Sequence, residues 1–301
     1  MRVFLTGATG FIGSRIVPAL LAAGHEVLGL TRSDAGARAL EAAGAQVHRG
    51  DLEEPDTLRA GADQADAVIH TAFDHDFSNF VANCDKDRRV IEAMGAALKG
   101  SNRPLLITSG TGMGSHDSGE PATEDMFNTN HPNPRAASEF AGMALLDAGV
   151  NVSVVRLPQV HDTVRQGLVS PYIEHARGKG VVAYIGEGLN RWPAAPVLDV
   201  AKLYALAIER TTPGARFHAV AEEGIRARDI AQVIGAGLGM PVVSLTPGEA
   251  PAHFGWLAMF MGLDMPASSA RTRGLLGWEP TGPGLLDDLR RMDYSKARAS
   301  S

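Results

Sequence analysis

Residues 6–13 of the 301-residue chain read TGATGFIG, directly after the apolar run RVFLT and directly before the helical pattern SRIVPALLAAG. Few folds accept a strand that ends in glycines spaced G-x-x-G-x-x-G and turns at once into a helix. The arrangement is the opening βα unit of a buried parallel sheet, with a loop shaped to hold an anion at the helix N-terminus. Gly7 permits the tight turn, Gly10 lets the backbone approach a diphosphate, and Gly13 lets the helix pack on the strand. Thr9, Phe11 and Ile12 carry the intervening backbone and complete the candidate cofactor loop.

The rhythm continues to about residue 157, where short β-branched or leucine-rich runs alternate with alanine-rich helical patterns. The strand candidates are RVFLT, EVLGLT, AQVHRG, DAVIHTA, PLLITS and VNVSVVRL, which predict an α/β Rossmann fold: a doubly wound parallel sheet with ligands at the carboxyl ends of its strands. Between LLITSG and NPRAASEF lies a loop rich in Gly, Asp, Asn and Thr, long enough to read as a lid or binding loop. Past Pro158 the rhythm is lost, so the expected division is a Rossmann domain over 1–160 and a smaller α/β substrate domain over 161–301, with some segments returning to the first. The net charge of −6 and the scattered Lys and Arg argue against nucleic acid or an anionic membrane as partner. A sole cysteine, Cys84, fits a reducing compartment. No apolar run is long enough to span a bilayer, and the chain begins on a strand pattern, so a cytoplasmic location is expected.

The glycine spacing resembles that of the short-chain dehydrogenase/reductase superfamily, in its extended, epimerase/dehydratase-like branch. Further segments carry the likeness. GDL, with Asp51 and Leu52, resembles the adenine-contacting segment, and HTAF, with Thr71, Ala72 and Phe73, resembles the turn under the cofactor. NCDKDRRVIEAM resembles the family helix that begins at Asn83, and RLPQVHD, with Leu157, the end of strand six. GEGLNRWPAAPVLDVAKLYALAIE and LLGWEPTGPGLLDDL match the substrate-domain signatures. The resemblance implies a nicotinamide dinucleotide, a small-molecule substrate, and a homodimer built on the helices around 83–98 and 138–147.

NPRAASEF then departs from the pattern. Asn133 reads as an N-cap and Pro134 as the first helical residue, which leaves Arg135 at the wrong end of the helix dipole. Aligned through Ser138, Arg135 takes the place of the family's proton-donating tyrosine and Glu139 that of its lysine. Arginine stays protonated and glutamate reverses the charge, so the usual relay is absent. Two readings stand for the pair: groups at the nicotinamide end of the site, or a surface ion pair.

Ser109 falls at the family's catalytic serine position and Thr111 at an acid position of some dehydratases; a Ser-Gly-Thr-Gly turn accounts for them equally in local terms. His161 is either a pocket-facing proton carrier or an ordinary loop histidine. Arg32 directly follows the second strand, with Ser33 beside it, and suits the 2′-phosphate of NADP(H) over NAD(H); Asp34 competes for the same ribose. Asp74, His75 and Asp76 are consecutive and do not converge from one extended segment, so no metal is expected. The stretch APAHFGWLAMFMGLDMPAS reads as buried core or as an adaptable apolar pocket wall. Arg191 sits near the family's diphosphate-anchoring arginine, but the Trp192 and Pro193 that follow it do not match a nucleotide-sugar site. The expected activity is an NADP(H)-dependent reduction of a small, rather apolar carbonyl or conjugated compound. Its alternatives are a non-catalytic NADP(H)-binding protein and a redox-neutral nucleotide-sugar epimerase or dehydratase.

Overall fold

A computed structural model describes residues 1–115 and 119–295. The first half contributes β1 (Arg2–Thr6), β2 (Glu26–Thr31), β3 (Gln46–Arg49), β4 (Ala67–His70), β5 (Leu105–Gly110) and β6 (Val152–Leu157). Shorter strands follow: β7 (Gln159–His161), β8 (Val182–Ile185), β9 (Arg191–Pro196), β10 (Arg216–His218), β11 (Glu222–Arg226) and β12 (Val242–Leu245). The longer helices are α1 (Gly13–Ala22), α2 (Asp34–Ala42), α3 (Pro55–Asp63), α4 (Phe80–Leu98), α5 (Ala136–Asp147), α6 (Val169–Lys179), α7 (Val197–Glu209) and α8 (Ala227–Leu238).

Seven parallel strands in the order β10-β6-β5-β4-β1-β2-β3 form the Rossmann sheet. Six of them match the expected runs. The seventh, β10, has three residues flanked by loop, too short for an apolar period to reveal. Both faces are covered, which is why the strands read as continuous apolar runs. Leu5, Ile69 and Leu106 pack with Ile16, Leu20 and Leu203 of α1 and α7 on one side. Phe4, Val68 and Ile107 pack with Leu58, Val90, Met94 and Ala141 of α3, α4 and α5 on the other. The helix α7 and the strand β10 thus complete the first sheet although they follow residue 160.

The remaining strands form two small sheets, β11-β9-β7 and β12-β8. Their core includes Tyr172, Trp192, Ile230, Phe254 and Leu285. Because the chain winds from β1 out to β3 and then returns to β4 on the other side of β1, the switch point of the sheet, where doubly wound folds bind their ligands, lies at the carboxyl ends of β1 and β4. The two segments expected to cradle a cofactor, after β1 and after β4, both end there.

Candidate active site

The phosphate loop is built by steric necessity. Gly7 has φ +69°, and a Cβ there would lie 2.8 Å from the amide nitrogen of Ala72. A Cβ on Gly13 would fall 2.0 Å from the Gly7 carbonyl oxygen, so only glycine lets α1 start this close to β1. No side chain caps α1, and Thr9 and Gly10 are exposed while Phe11 and Ile12 are half-buried. The Ser14 and Arg15 amides turn back to the carbonyls of Gly10 and Ile12, each at 2.9 Å, whereas among the described residues the amides of Phe11, Ile12 and Gly13 have no backbone acceptor, so these three are open to an anion and the loop fits a dinucleotide diphosphate.

At the end of β2, the Arg32 side chain is 80% exposed and stands 3.7 Å from the Asp51 carboxylate. Ser33 caps α2 by accepting the Gly36 amide at 3.0 Å. Asp34, the competing acid, is engaged by Arg49 from the end of β3 at 2.5 Å. Leu52 is half-buried beside Asp51. On α4, Lys86 bonds both Glu53 and, at 2.9 Å, Asp74. Asp76 accepts the Ser78 amide and caps its own short turn, so these acids are used locally. Among the described residues no three metal-ligating side chains gather.

Behind the loop after β4 runs a buried polar chain that no motif in the sequence announces. Thr6 Oγ1 accepts the amides of Thr71 and Ala72, each at 3.2 Å, and spends its own proton on His70 Nδ1 at 2.7 Å. That assigns the His70 proton to Nε2, which donates to Asp87 Oδ1 at 2.9 Å. Asp87 Oδ2 then accepts Ser138 Oγ at 2.6 Å and Arg135 Nη1 at 2.5 Å. Burial alone would raise the Asp87 carboxyl; the Arg135 charge, then His70 and the hydrogen bonds, hold it well below the usual carboxylate range. Asn83 and Asp87, four apart and both buried on α4, were the available signal for this buried polar face.

Arg135 also donates to Ser138 Oγ and, from Nη2, to the Thr108 carbonyl at 3.0 Å, and its guanidinium lies 4.2 Å from the centre of the Phe73 ring. The arginine at the tyrosine position is thus anchored and charge-compensated. Asn133 does not cap α5 directly: its Oδ1 accepts the Arg135 amide at 2.9 Å in a turn, and the helix starts at Ala136.

Glu139 corrects both readings of the pair. It points away from Arg135 and grips Arg156 of β6 with two bonds of 2.7 and 2.8 Å, both side chains being fully buried. Arg216 of β10 adds a third bond at 3.1 Å. The remaining Arg156 donors go to the carbonyls of Thr123 and Met126 and to His218 Nε2. This acid therefore fixes β6, β10 and the long loop to α5, and it is neither a surface partner nor a group of the cleft.

Burial and the Arg156 charge push His218 down to about 3, while its Nδ1–H donates to the Ser268 carbonyl at 2.8 Å. Its folded value lies below the unfolded one of about 6.5, so protonation favours the unfolded chain. The stabilisation is complete above pH about 6.5 and is lost as the pH falls toward 3. His218→Gln should flatten the fall of Tm between pH 6.5 and 4 relative to wild type, measured by thermal denaturation across pH.

Ser109, next to last in β5, lies opposite Arg156 in the sheet register, is 4% exposed, and among the described residues its Oγ has no hydrogen-bond partner. Thr111 is buried two residues on, at the start of a 3-10 turn. His161 is fully buried on β7, with Nδ1 bonded to Asp288 at 2.7 Å, and Leu157 is half-buried at the end of β6. Arg191 pairs with Asp264 at 2.7 Å. In the APAHFGWLAMF stretch, Phe254, Leu257, Phe260 and Met261 are core, while Trp256 is 43% exposed and stacks on Phe77 at 4.7 Å between ring centres. Phe80 lies between Phe77 and Phe73, at 5.5 and 6.2 Å, so aromatic rings run from the β4 turn to Trp256.

The chain is 48% identical over 295 residues to an uncharacterized protein of Schizosaccharomyces pombe, spanning 98% of this chain and 100% of the relative. It is 28% identical over 228 residues to 2-alkyl-3-oxoalkanoate reductase of Stenotrophomonas maltophilia, covering 71% of this chain and 67% of that one. In fold it is similar to a dTDP-glucose 4,6-dehydratase of Streptomyces venezuelae crystallised with NAD, with a TM-score of 0.76 at 20% identity over 97% of this chain and 96% of that one. A model of the NAD dependent epimerase/dehydratase family matches residues 3–220, which include the phosphate loop, the β4 turn, α4, Ser109 and the altered Arg135–Glu139 segment. The protein accordingly belongs to the NAD-dependent epimerase/dehydratase family of the short-chain dehydrogenase/reductase superfamily, whose members bind NAD(P).

Proposed function

We propose that this protein is an NADP(H)-dependent oxidoreductase that reduces a small, apolar carbonyl or conjugated compound. The observation that carries the reading is the Ser109 hydroxyl, buried at the carboxyl end of β5 and without a partner among the described residues. A buried hydroxyl left unpaired is costly unless a ligand completes it. When bound, the dinucleotide supplies the hydride. Ser109 donates its hydrogen bond to the substrate oxygen that gains negative charge, with Thr111 beside it, and water completes protonation. Arg135 is a positioning group: its bond to the Thr108 carbonyl fixes the backbone that carries Ser109, and Asp87 offsets most of its charge. His161, committed to Asp288 on one side, is left out of the step. The rings of Phe73, Phe77, Phe80 and Trp256 favour an apolar substrate, and a reductase of oxoalkanoates among the relatives supports the same class of chemistry.

Incubation with NADPH and a panel of aldehydes, ketones, quinones and enones tests the activity by the loss of NADPH absorbance. Failure on every compound, with dinucleotide binding intact, would leave the non-catalytic binding protein, which the compensated Arg135 favours.

The preference for NADP(H) rests on Arg32, exposed at the end of β2, and on Asp34 being held by Arg49. Losing one charge-assisted phosphate contact costs about 1.5–3 kcal/mol. Arg32→Ala is therefore expected to weaken NADPH by roughly 10- to 100-fold and NADH little, read from dissociation constants. Equal weakening of both, or a wild-type preference for NADH, would sink the assignment.

Exposed Val81 on α4 and Phe140 and Met143 on α5 support a homodimer through these helices. Light scattering at micromolar concentration should give twice the chain mass of 31.7 kDa; a monomer there would count against it.

A further inference from the structure

The phosphate loop has no cationic side chain of its own, and Arg15, the first cation after it, lies 3.9 Å from the Asp162 carboxylate. The diphosphate carries two negative charges, which amides and a helix dipole meet only in part. A cation with no carboxylate partner among the described residues does stand by the loop from the substrate side. Arg165, in the connection between β7 and α6, holds its guanidinium 5.8 Å from the centre of the Phe11 ring.

The connection is built to present that residue. Asp162 Oδ1 accepts the amides of Val164 and Arg165, both at 2.7 Å, and the Asp162 amide donates to the Arg165 carbonyl at 2.9 Å. Beneath it, fully buried Gln166 donates from Nε2 to the Asp162 carbonyl at 2.9 Å. The backbone of Arg165 is thus fixed while its side chain is exposed, and among the described residues no carboxylate pairs with its guanidinium. Asp162, the acid nearest in sequence, is turned toward Arg15 and its own turn. The Arg165 charge also reaches His75 in the loop after β4: packing against its surroundings, then Arg135, then Arg165 lower that imidazole from its usual range. The guanidinium thus lies beside Phe11 of one cofactor loop and within electrostatic reach of His75 in the other.

We infer that Arg165 is a cofactor clamp: its guanidinium pairs with the dinucleotide diphosphate from the substrate domain, opposite the amides of the phosphate loop. The inference rests on the dinucleotide reading of that loop. A bound diphosphate would then tie the connection after β7 to α1, so that cofactor occupancy steadies the wall of the substrate cleft. An unpaired arginine fits this use because its planar donors match phosphate oxygens two at a time.

Dissociation constants measured by calorimetry for wild type, Arg165→Ala and Arg165→Lys test the clamp. The probes are NADPH, NADH, ADP-ribose, which keeps the diphosphate, and 2′-AMP, which lacks it. Arg165→Ala should weaken the first three alike, by about tenfold, and leave 2′-AMP unchanged, with Arg165→Lys between the two. Arg32→Ala should give the opposite pattern, weakening NADPH and 2′-AMP only, so the two assignments fail separately. Unchanged ADP-ribose binding in Arg165→Ala would overturn the clamp. A higher KM for an acidic substrate with unchanged dinucleotide binding would overturn it as well and assign the charge to the substrate. Failure of the wild type to bind any dinucleotide would overturn both the clamp and the reading beneath it.

Discussion

Ser109→Ala is expected to lower turnover by about 100-fold or more, with the dissociation constant for NADPH near the wild-type value. The size follows from removing one preorganised donor aimed at developing negative charge, which costs about 10²–10³ in rate. The selectivity follows from geometry: among the described residues the Oγ has no partner, so its loss breaks no bond there, and the diphosphate loop follows a different strand. Single-turnover measurement of NADPH oxidation on any substrate found in the carbonyl panel separates the chemical step from binding. Turnover within a factor of two of wild type would remove Ser109 from the mechanism. A matched rise in the NADPH dissociation constant would instead place the hydroxyl in cofactor binding.

Glu139→Lys is expected to abolish the soluble fold, or to lower Tm by more than Arg32→Ala, Ser109→Ala, Arg165→Ala or His218→Gln. Restoring the family's Tyr and Lys pair through Arg135→Tyr and Glu139→Lys looks, on alignment alone, like a repair of catalysis. The structure gives it the opposite outcome. A lysine at 139 would stand against Arg156 and Arg216 with no acid between them, where Arg156 is wholly buried. Removing one partner of a buried ion pair costs about 3–5 kcal/mol, and reversing its sign costs more. For a chain of this size the broken pair alone corresponds to a fall in Tm of roughly 5–8 °C, and the reversed charge to more. Glu139→Gln keeps the shape and some acceptor capacity and should be milder, so the order wild type, Glu139→Gln, Glu139→Lys in thermal denaturation checks the assignment. A folded Glu139→Lys protein with wild-type Tm would show that Arg156 does not depend on this acid.

How much of the fold and the site is legible in the sequence varies with the range of the interaction. The phosphate loop is readable because its cause is local: Gly7 and Gly13 are forced by contacts at the end of β1, and any chain with that turn needs them. The burial of Trp192 is not, since a tryptophan after Arg191 gives no local sign of the second core it joins. The stretch around Trp256 splits in two: Phe254 and Phe260 go to the core, and Trp256 goes to the Phe77 ring, far away in sequence. The short strand β10 escapes for the same reason, being held by pairing with β6 and by Glu139 bonding Arg216.

The sequence by itself determined the succession of βα units, the glycine loop between β1 and α1, the place of Ser109 at the end of β5, and the absence of the tyrosine and lysine relay. The first three are written in residue type and spacing along one segment, where chain geometry leaves little choice, and the last in the resemblance of one segment to the family's pattern. Only the tertiary structure decided the fate of the two charges that replace the relay. Arg135 meets Asp87, 48 residues away on α4, and Glu139 meets Arg156, 17 residues on, across the sheet. Which acid faces which base depends on how α4 and α5 lie side by side on β5 and β6. The cost of burying a charge forces each one to find a partner, but it does not say which.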